Sequence, residues 1–298
     1  MQNKFFDLIN NKIKIENLDK FAVIIGKNPS LNARSPLLWN AAFKANNLNY
    51  LMVPIDVDLE NLEIVLKFLQ EDKRCIGGAI TIPYKSNVMD WLGERVSDEV
   101  KNIKAVNCIY RNKEGIFRGT NTDGEASLVA FKNKFGELKN KKVMIMGCGG
   151  AGKAVIAYFT KELKNENLYI TSRDKSNLIP EKKLKNIIWV DWLEKSLILN
   201  KIDILINCTS LGFDKQADIT PLKDGDMGFL KKQSIVYDII YNPEKTLLLN
   251  LAEKNGLKII NGSEMNLLQA VLAFEYVVNN VDKKISPEKA MREVVKNT

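Results

Sequence analysis

The sequence predicts an α/β protein of two domains, the second built on a doubly wound parallel sheet. Three observations carry that expectation. The chain has 298 residues, and at roughly 150 residues per domain two domains are expected. Short apolar runs rich in Val and Ile alternate with segments whose apolar residues recur at helical spacing, the pattern of strands joined by helical crossovers. A glycine-rich turn, GCGGAG, separates one such run from the helix after it, as in dinucleotide-binding Rossmann units.

The elements follow in order. KFAVIIG (20–26) reads as a strand, and SPLLWNAAFKANN (35–47) as an amphipathic helix with Ser35 as N-cap and Pro36 at the first helical position. YLMVPID (50–56) is a second strand, LENLEIVLKFLQ (59–70) a helix, and CIGGAITI (75–82) a third strand whose pairing Pro83 ends. Residues 100–111 run from helix into strand, and 115–121 form the returning arm of a hairpin. A helix begins near residue 122. KKVMIM then leads through the glycine turn into another helix. Strands are expected at 167–172, 186–190, 201–207, 234–240 and 257–260, a helix at 245–255 closed by Gly256, and a long apolar helix at 263–280.

Composition removes several function classes. Hydrophobic residues make up 45% and charged residues 27%, enough apolar content to argue against disorder. No stretch reaches the roughly 20 apolar residues of a membrane span. The first twenty residues mix acids and bases without the apolar core of a signal peptide, so a cytoplasmic protein is expected. There are 0 histidines, which excludes Ser-His-Asp and Cys-His nucleophiles and His-ligated metals. Proton transfer falls to Lys, Asp, Glu, Tyr, Cys or water. Cys75, Cys108, Cys148 and Cys208 are scattered, without a Cys-x-x-Cys pair, so neither a metal site nor a disulfide framework is indicated. The net charge is +8. The basic residues are interleaved with acids along the whole chain, which argues against nucleic-acid partners. A modest positive field suits an anionic substrate and a phosphorylated cofactor.

The chemistry concentrates in a few places. Gly147, Gly149, Gly150 and Gly152 follow a strand and open a helix, so backbone N–H groups at that helix start, Ala151 among them, can approach a pyrophosphate. An acid at the end of the next strand would bind the ribose 2′-hydroxyl of NAD. Here Ser172 stands there, followed by Arg173, Asp174 and Lys175. The two cations favour the 2′-phosphate of NADP. Asp174, if it points inward, favours NAD. Lys85, in TIPYK, and Asp123, in GTNTDG, both follow strand ends, where α/β sheets place their ligands.

Along nearly the whole chain these segments resemble the shikimate dehydrogenases and their quinate-using relatives. NARSPLLWNAAF is similar to the family's Ser-x-Ser-Pro segment, AITIPYK to its substrate strand, and KAVNC to its Gly-Ala-Val-Asn-Thr. Asn121, Thr122, Asp123 and Gly124 match Asn-Thr-Asp-Gly. NCTSLG, DIIYNPEKT and NGSEMNLLQAVLAFE match later motifs. The resemblance implies a substrate-binding N-terminal domain (1–122), an NADP-binding Rossmann domain (123–255) and C-terminal helices (256–298) returning to the first. It implies reversible hydride transfer between shikimate and 3-dehydroshikimate, a step of aromatic amino-acid biosynthesis. Lys85 and Asp123 would be the acid–base pair. Ser35, Thr81, Asn107, Tyr241 and Gln269 would contact substrate, and Thr209 and Gly262 the cofactor. A small-molecule enzyme, monomer or homodimer, without membrane or nucleic-acid partners, is expected. Ala33 and Ala79 replace a Ser and an Asn of the family pattern, Lys104 replaces a Gly, and Asn32 and Trp39 stand where it has histidines. The altered carboxylate pocket keeps open quinate or another cyclic hydroxy-acid as substrate, and a non-catalytic NADP-binding sensor is the further alternative.

Overall fold

The computed structural model describes residues 2–163, 167–173, 187–279 and 281–296. The chain divides into two compact units, Met1–Thr122 with Leu267–Thr298, and Asp123–Asn266. Among the described residues, no helix is long and apolar enough to cross a membrane.

The first unit contains α1 (Gln2–Phe6), β1 (Lys20–Gly26), α2 (Pro29–Asn32), α3 (Ser35–Ala45), β2 (Tyr50–Asp56), α4 (Leu59–Glu71), β3 (Cys75–Ile80), α5 (Lys85–Leu92), α6 (Asp98–Ile103), β4 (Cys108–Arg111) and β5 (Phe117–Thr120). Its sheet has the order β2-β1-β3-β4-β5. β1 pairs in parallel with β2 and β3, whereas β4 is antiparallel to β3 and to β5. The sheet is therefore mixed, because the short β4–β5 connection permits only a hairpin. Alternation along β1 decides how its faces are covered. Phe21, Val23 and Ile25 join a cluster with Leu62, Val65, Leu66 and Leu69 of α4. Ala22 and Ile24 join another with Leu38, Trp39 and Phe43 of α3. Successive side chains of a strand point to opposite faces, so this sheet is buried on both.

The second unit contains α7 (Asp123–Phe135), β6 (Val143–Met146), α8 (Gly150–Glu162), β7 (Leu168–Thr171), β8 (Ile187–Trp189), β9 (Ile204–Asn207), β10 (Ile235–Asp238), α9 (Leu247–Lys254) and β11 (Lys258–Ile260). Its six strands lie in the order β11-β10-β9-β6-β7-β8, all parallel. Read in order of appearance this is the doubly wound arrangement, with its switch point between β6 and β9. α10 (Ser263–Val277) begins in this unit and continues in the first, which α11 (Pro287–Lys296) completes.

Two expectations need correction. Residues 256–266 belong to the second unit and not to the returning helices, because β11 pairs with β10. Ser35 is the first residue of α3 and not its N-cap. Arg34 precedes it already in helical conformation (φ −80, ψ −22), and no side chain caps that end.

Candidate active site

In the first unit Thr81, Lys85 and Asn107 lie around the carboxyl end of β3. Thr81 N–H donates to the Ile25 carbonyl at 2.9 Å, and Tyr84 N–H to the Thr81 carbonyl at 3.0 Å. The chain thus turns directly from the sheet into α5, whose first residue is Lys85. The buried Tyr84 hydroxyl donates to the Val57 carbonyl at 2.7 Å, and the Lys85 carbonyl accepts from Val106 N–H at 2.9 Å. Lys85 is half-buried with its backbone fixed on both sides.

Asn107 is buried and engaged by Thr122 at both ends of its amide. Its Nδ2 donates to Thr122 Oγ1 at 3.0 Å, and its Oδ1 accepts from Thr122 N–H at 2.8 Å. Thr122 Oγ1 in turn donates to the Gln269 carbonyl at 3.1 Å, and Asn121 Nδ2 to the Ala105 carbonyl at 2.9 Å. Asn107, Thr122 and Gln269 therefore form one assembly. Ser35 is buried at the start of α3. Ala33 and Ala79 pack against the apolar cluster that holds Trp39 and Phe274. Trp39 is fully buried, edge-on to Phe274, and its indole N–H has no hydrogen-bond partner.

In the second unit, Asp123 opens α7 and is buried. An acid in a first helical turn is favoured by the helix dipole. Gly124 fixes that end of the helix: a Cβ there would lie 2.4 Å from the Ala154 carbonyl oxygen of α8. The glycine turn between β6 and α8 is equally constrained. Gly147 has φ +101, which disfavours any side chain, and a Cβ on Gly152 would lie 2.2 Å from the Gly147 carbonyl oxygen. Gly149 differs, since nothing lies within 4 Å of its Cβ position. The first N–H groups of α8, from Gly150, Ala151 and Gly152, have no carbonyl one turn back within the helix. This cradle fits a diphosphate: donors at a helix start, the positive end of its dipole, and open space over Gly149.

Around the turn, Gly147 N–H donates to the Thr171 carbonyl at 2.8 Å. Ser172 is half-buried and hydrogen-bonds the Cys148 thiol; burial, which outweighs that bond, pushes the thiol up to about 11. Arg173 is exposed at the end of β7. Asp174 and Lys175 lie outside the described residues. Thr209 rests against the glycine turn, its Cγ2 lying 3.0 Å from a Cβ built on Gly147. Gly262 is held to β10: its N–H donates to the Ile240 carbonyl at 2.9 Å, and a Cβ on it would lie 1.9 Å from the Ile239 carbonyl oxygen. Tyr241 follows β10 and is half-buried.

Sequence reasoning did not single out one polar network here. Buried Asp238 accepts from Asn207 Nδ2 at 3.2 Å, Ile240 N–H at 3.1 Å and Thr246 Oγ1 at 2.7 Å. Asn207 Oδ1 accepts from both Thr209 N–H and Oγ1, at 3.0 and 2.7 Å. The Asn-x-Thr spacing in NCTSLG was the available signal, since Asn side chains commonly bond the backbone two residues on.

Comparison with known proteins gives concordant results. Residues 24–109 match the family described as "Shikimate dehydrogenase substrate binding domain". A shikimate dehydrogenase (NADP(+)) of Thermosynechococcus vestitus is 33% identical over 269 residues, 88% of this chain and 91% of that protein. One of Methanococcus aeolicus is 34% identical over 277 residues, covering 90% and 93%. Among solved structures, a shikimate dehydrogenase in complex with NADP+ has a TM-score of 0.82 at 29% identity, covering 97% of this chain and 98% of that one. A Listeria monocytogenes shikimate 5-dehydrogenase in complex with shikimate and NAD has a TM-score of 0.80 at 26% identity, covering 96% and 100%.

Proposed function

We propose that this chain, which belongs to the shikimate dehydrogenase family, interconverts shikimate and 3-dehydroshikimate with NADP. The likeness to proteins of that name over about nine-tenths of the chain supports the reading. So does the retention of Lys85 and Asp123 at the starts of α5 and α7.

Bound NADP supplies the hydride acceptor in one direction and the donor in the other. Backbone N–H groups of Gly149, Gly150, Ala151 and Gly152 hold its diphosphate. Ser172, Arg173 and Lys175 would bind the 2′-phosphate, and Gly147, Thr209 and Gly262 would lie against the cofactor. Lys85 Nζ accepts the proton of the reacting hydroxyl during oxidation and returns one to the carbonyl oxygen during reduction. The Asp123 carboxylate would lie beside the reacting oxygen and, after reduction, accept a hydrogen bond from the hydroxyl that has formed. Ser35, Thr81, Asn107, Tyr241 and Gln269 orient the ring. Asn107 acts in part through Thr122, which both ends of its amide hold. Orientation of this kind turns an encounter into a near-attack geometry. The protein is a cytoplasmic monomer or homodimer working on small molecules.

The test is nicotinamide absorbance with shikimate and quinate, each with NADP and NAD. Turnover is expected to be highest with shikimate and NADP. Arg173→Ala should narrow the NADP preference by about 10- to 150-fold, the range for a hydrogen bond to a charged group. Tight NADP binding without turnover of either acid would make the chain a sensor. A preference for NAD would mean that Asp174 governs the 2′ position.

A further inference from the structure

We infer that the amino end of the second unit's sheet carries a binding site for a small phosphate monoester, in a hollow of about 340 Å³ lined by Lys141, Asp203, Lys231, Lys232, Gln233 and Ile235. Lysines that are interleaved with acids in sequence are gathered here by topology. β10, β9 and β6 are neighbours and parallel, so the segments that lead into them meet at one edge. Lys141 and Lys142 precede β6, Lys201 and Asp203 precede β9, and Lys231, Lys232 and Gln233 precede β10. The glycine turn lies at the other end of β6, roughly 10 Å along the strand. The inference does not depend on the dinucleotide reading of that turn.

Hydrogen bonds tie the floor of the hollow together. Ile235 N–H donates to the Asp203 carbonyl at 2.9 Å, Asp203 N–H to the Lys142 carbonyl at 2.8 Å, and Ser234 Oγ to the Ile202 carbonyl at 2.8 Å. The Asp203 carboxylate accepts from Lys142 N–H at 2.8 Å and from Lys231 Nζ at 2.7 Å. Burial works against its ionisation, but these two bonds outweigh it and hold the carboxyl below its ordinary value. Asp203 is therefore charged at neutral pH. Lys231 Nζ also donates to the Lys201 carbonyl at 3.1 Å. An ammonium has three N–H donors, so Lys231 is held in place with one of them to spare.

Charge and size give the ligand class. Lys141, Lys231 and Lys232 bring three positive charges to the lining and Asp203 one negative charge, so two positive charges remain. Lys141 and Lys232 make no ion pair or side-chain hydrogen bond among the described residues. Cations around one hollow repel each other, and a dianion relieves the repulsion. A phosphate monoester carries about −1.5 to −2 charge at pH 7 and three acceptor oxygens, and lysine binds phosphate as a point charge. The volume lies at the small end of ligand pockets, which run about 300–1,000 Å³, so an organic part fits beside the phosphate. The Gln233 amide, also without a side-chain bond among the described residues, offers hydroxyls a donor and an acceptor, and half-buried Ile235 gives a short apolar wall. Among the described residues no aromatic side chain lines the hollow, so it lacks the platform on which a nucleic-acid base would stack.

The experiment titrates the full chain, with NADP+ in excess to fill the glycine turn, with glycerol 3-phosphate, inorganic phosphate, glycerol and KCl. Amide NMR shifts of Lys141, Asp203, Lys232, Gln233 and Ile235 are followed at matched ionic strength. Glycerol 3-phosphate is expected to shift them saturably, with a Kd on the order of 1 mM. Phosphate should bind more weakly and glycerol not at all. Raising salt from about 0.05 to 0.5 M should weaken the ester about 3- to 10-fold. Lys141→Gln and Lys232→Gln should each weaken it about 1.5- to 5-fold, and the double variant further, the range for exposed charge pairs. Neither should change kcat or the KM for shikimate. No saturable shift below about 20 mM ester, far above the expected Kd, would overturn the inference. Shifts as large with KCl would show only a counter-ion atmosphere, and wild-type affinity in the double variant would place the ester elsewhere; either result overturns it. Phosphate binding as tightly as the ester would overturn the ligand class. The shifts are read at named amides, so the result stands even if the chain binds no NADP+.

Discussion

Gly149 and Gly152 stand three residues apart in one turn, yet alanine should act on them by different routes. At Gly152 the added Cβ would lie 2.2 Å from the Gly147 carbonyl oxygen and 3.0 Å from its carbon. Non-bonded Cβ contacts under 3.0 Å essentially do not occur, so the start of α8 must retreat by at least 3.0 − 2.2, about 0.8 Å. Overpacking of this kind costs about 1–3 kcal/mol of stability, and a displacement near 1 Å in a positioned site costs on the order of 100-fold in function. At Gly149 nothing lies within 4 Å, and φ −71, ψ −174 suits alanine. Alanine loses some N-cap preference and removes about 0.4–1 kcal/mol of unfolded-state freedom. These nearly cancel, so ligand-free stability should stay within about 1 kcal/mol. If the space over Gly149 receives the diphosphate, the same methyl should weaken NADP+ by about tenfold or more. Urea unfolding without ligand and NADP+ titration of each variant give the readout. Gly152→Ala should lose stability and binding, Gly149→Ala binding only. Wild-type affinity in Gly149→Ala would refute the placement of the diphosphate.

Four further outcomes are expected. Lys85→Ala should lower kcat about 10²- to 10⁴-fold with little change in KM, the scale of lost general acid–base catalysis; near-normal kcat would remove Lys85 from proton transfer. Ala33→Ser should lower the KM for shikimate several-fold by restoring a hydroxyl; a low wild-type KM, unmoved by the serine, would mean other groups hold the carboxylate. Lys104 closes α6 in the left-handed region (φ 55, ψ 38), which costs a residue with a Cβ about 1–2 kcal/mol. Lys104→Gly, after its larger unfolded-state entropy, should gain about 0.5–1 kcal/mol and raise Tm; an unchanged or lower Tm contradicts this. Asp238, pushed up to about 6 from 3.8 by burial, holds its proton more tightly when folded. Its contribution is full below about pH 4 and is lost as pH rises through 6, a difference of about 3 kcal/mol. The stability gap between wild type and Asp238→Asn should thus widen in favour of wild type as pH falls from 7 to 4.5, and a flat gap in urea melts refutes the assignment.

Elements with strong local signals were legible in the sequence. β1 after Lys20 and β6 are continuous apolar runs, buried along their length, and the GCGGAG spacing announces the turn between β6 and α8. What escaped depended on partners distant in sequence. The stretch LKII reads as a strand, but nothing in it says that it pairs with β10, and that pairing is what places residues 256–266 in the second unit. Ser35 before a proline looks like a cap, yet Arg34 is already helical, because α2 ends one residue earlier at extended Ala33. Asp238 meets Asn207 across 31 residues of chain. Each half looks ordinary by itself, an acid at a strand end and an amide in a turn, and only folding brings them into one hydrogen-bond network.

The return of the C-terminal segment to the first unit sets an order of events at the ribosome. One face of the first sheet, with Ala22, Ile24, Trp39 and Ala79, packs against Leu267, Ala270 and Phe274 of α10 and Ala290 and Met291 of α11. While residues 1–122 are being made, those partners do not yet exist, and the nascent sheet has one apolar face bare. The second unit, 123–266, is unbroken in sequence and holds all the strands of its own sheet. It can finish folding while the first waits for the last thirty or so residues. Contacts between residues so distant in sequence form slowly, and an apolar face left bare in the meantime favours aggregation.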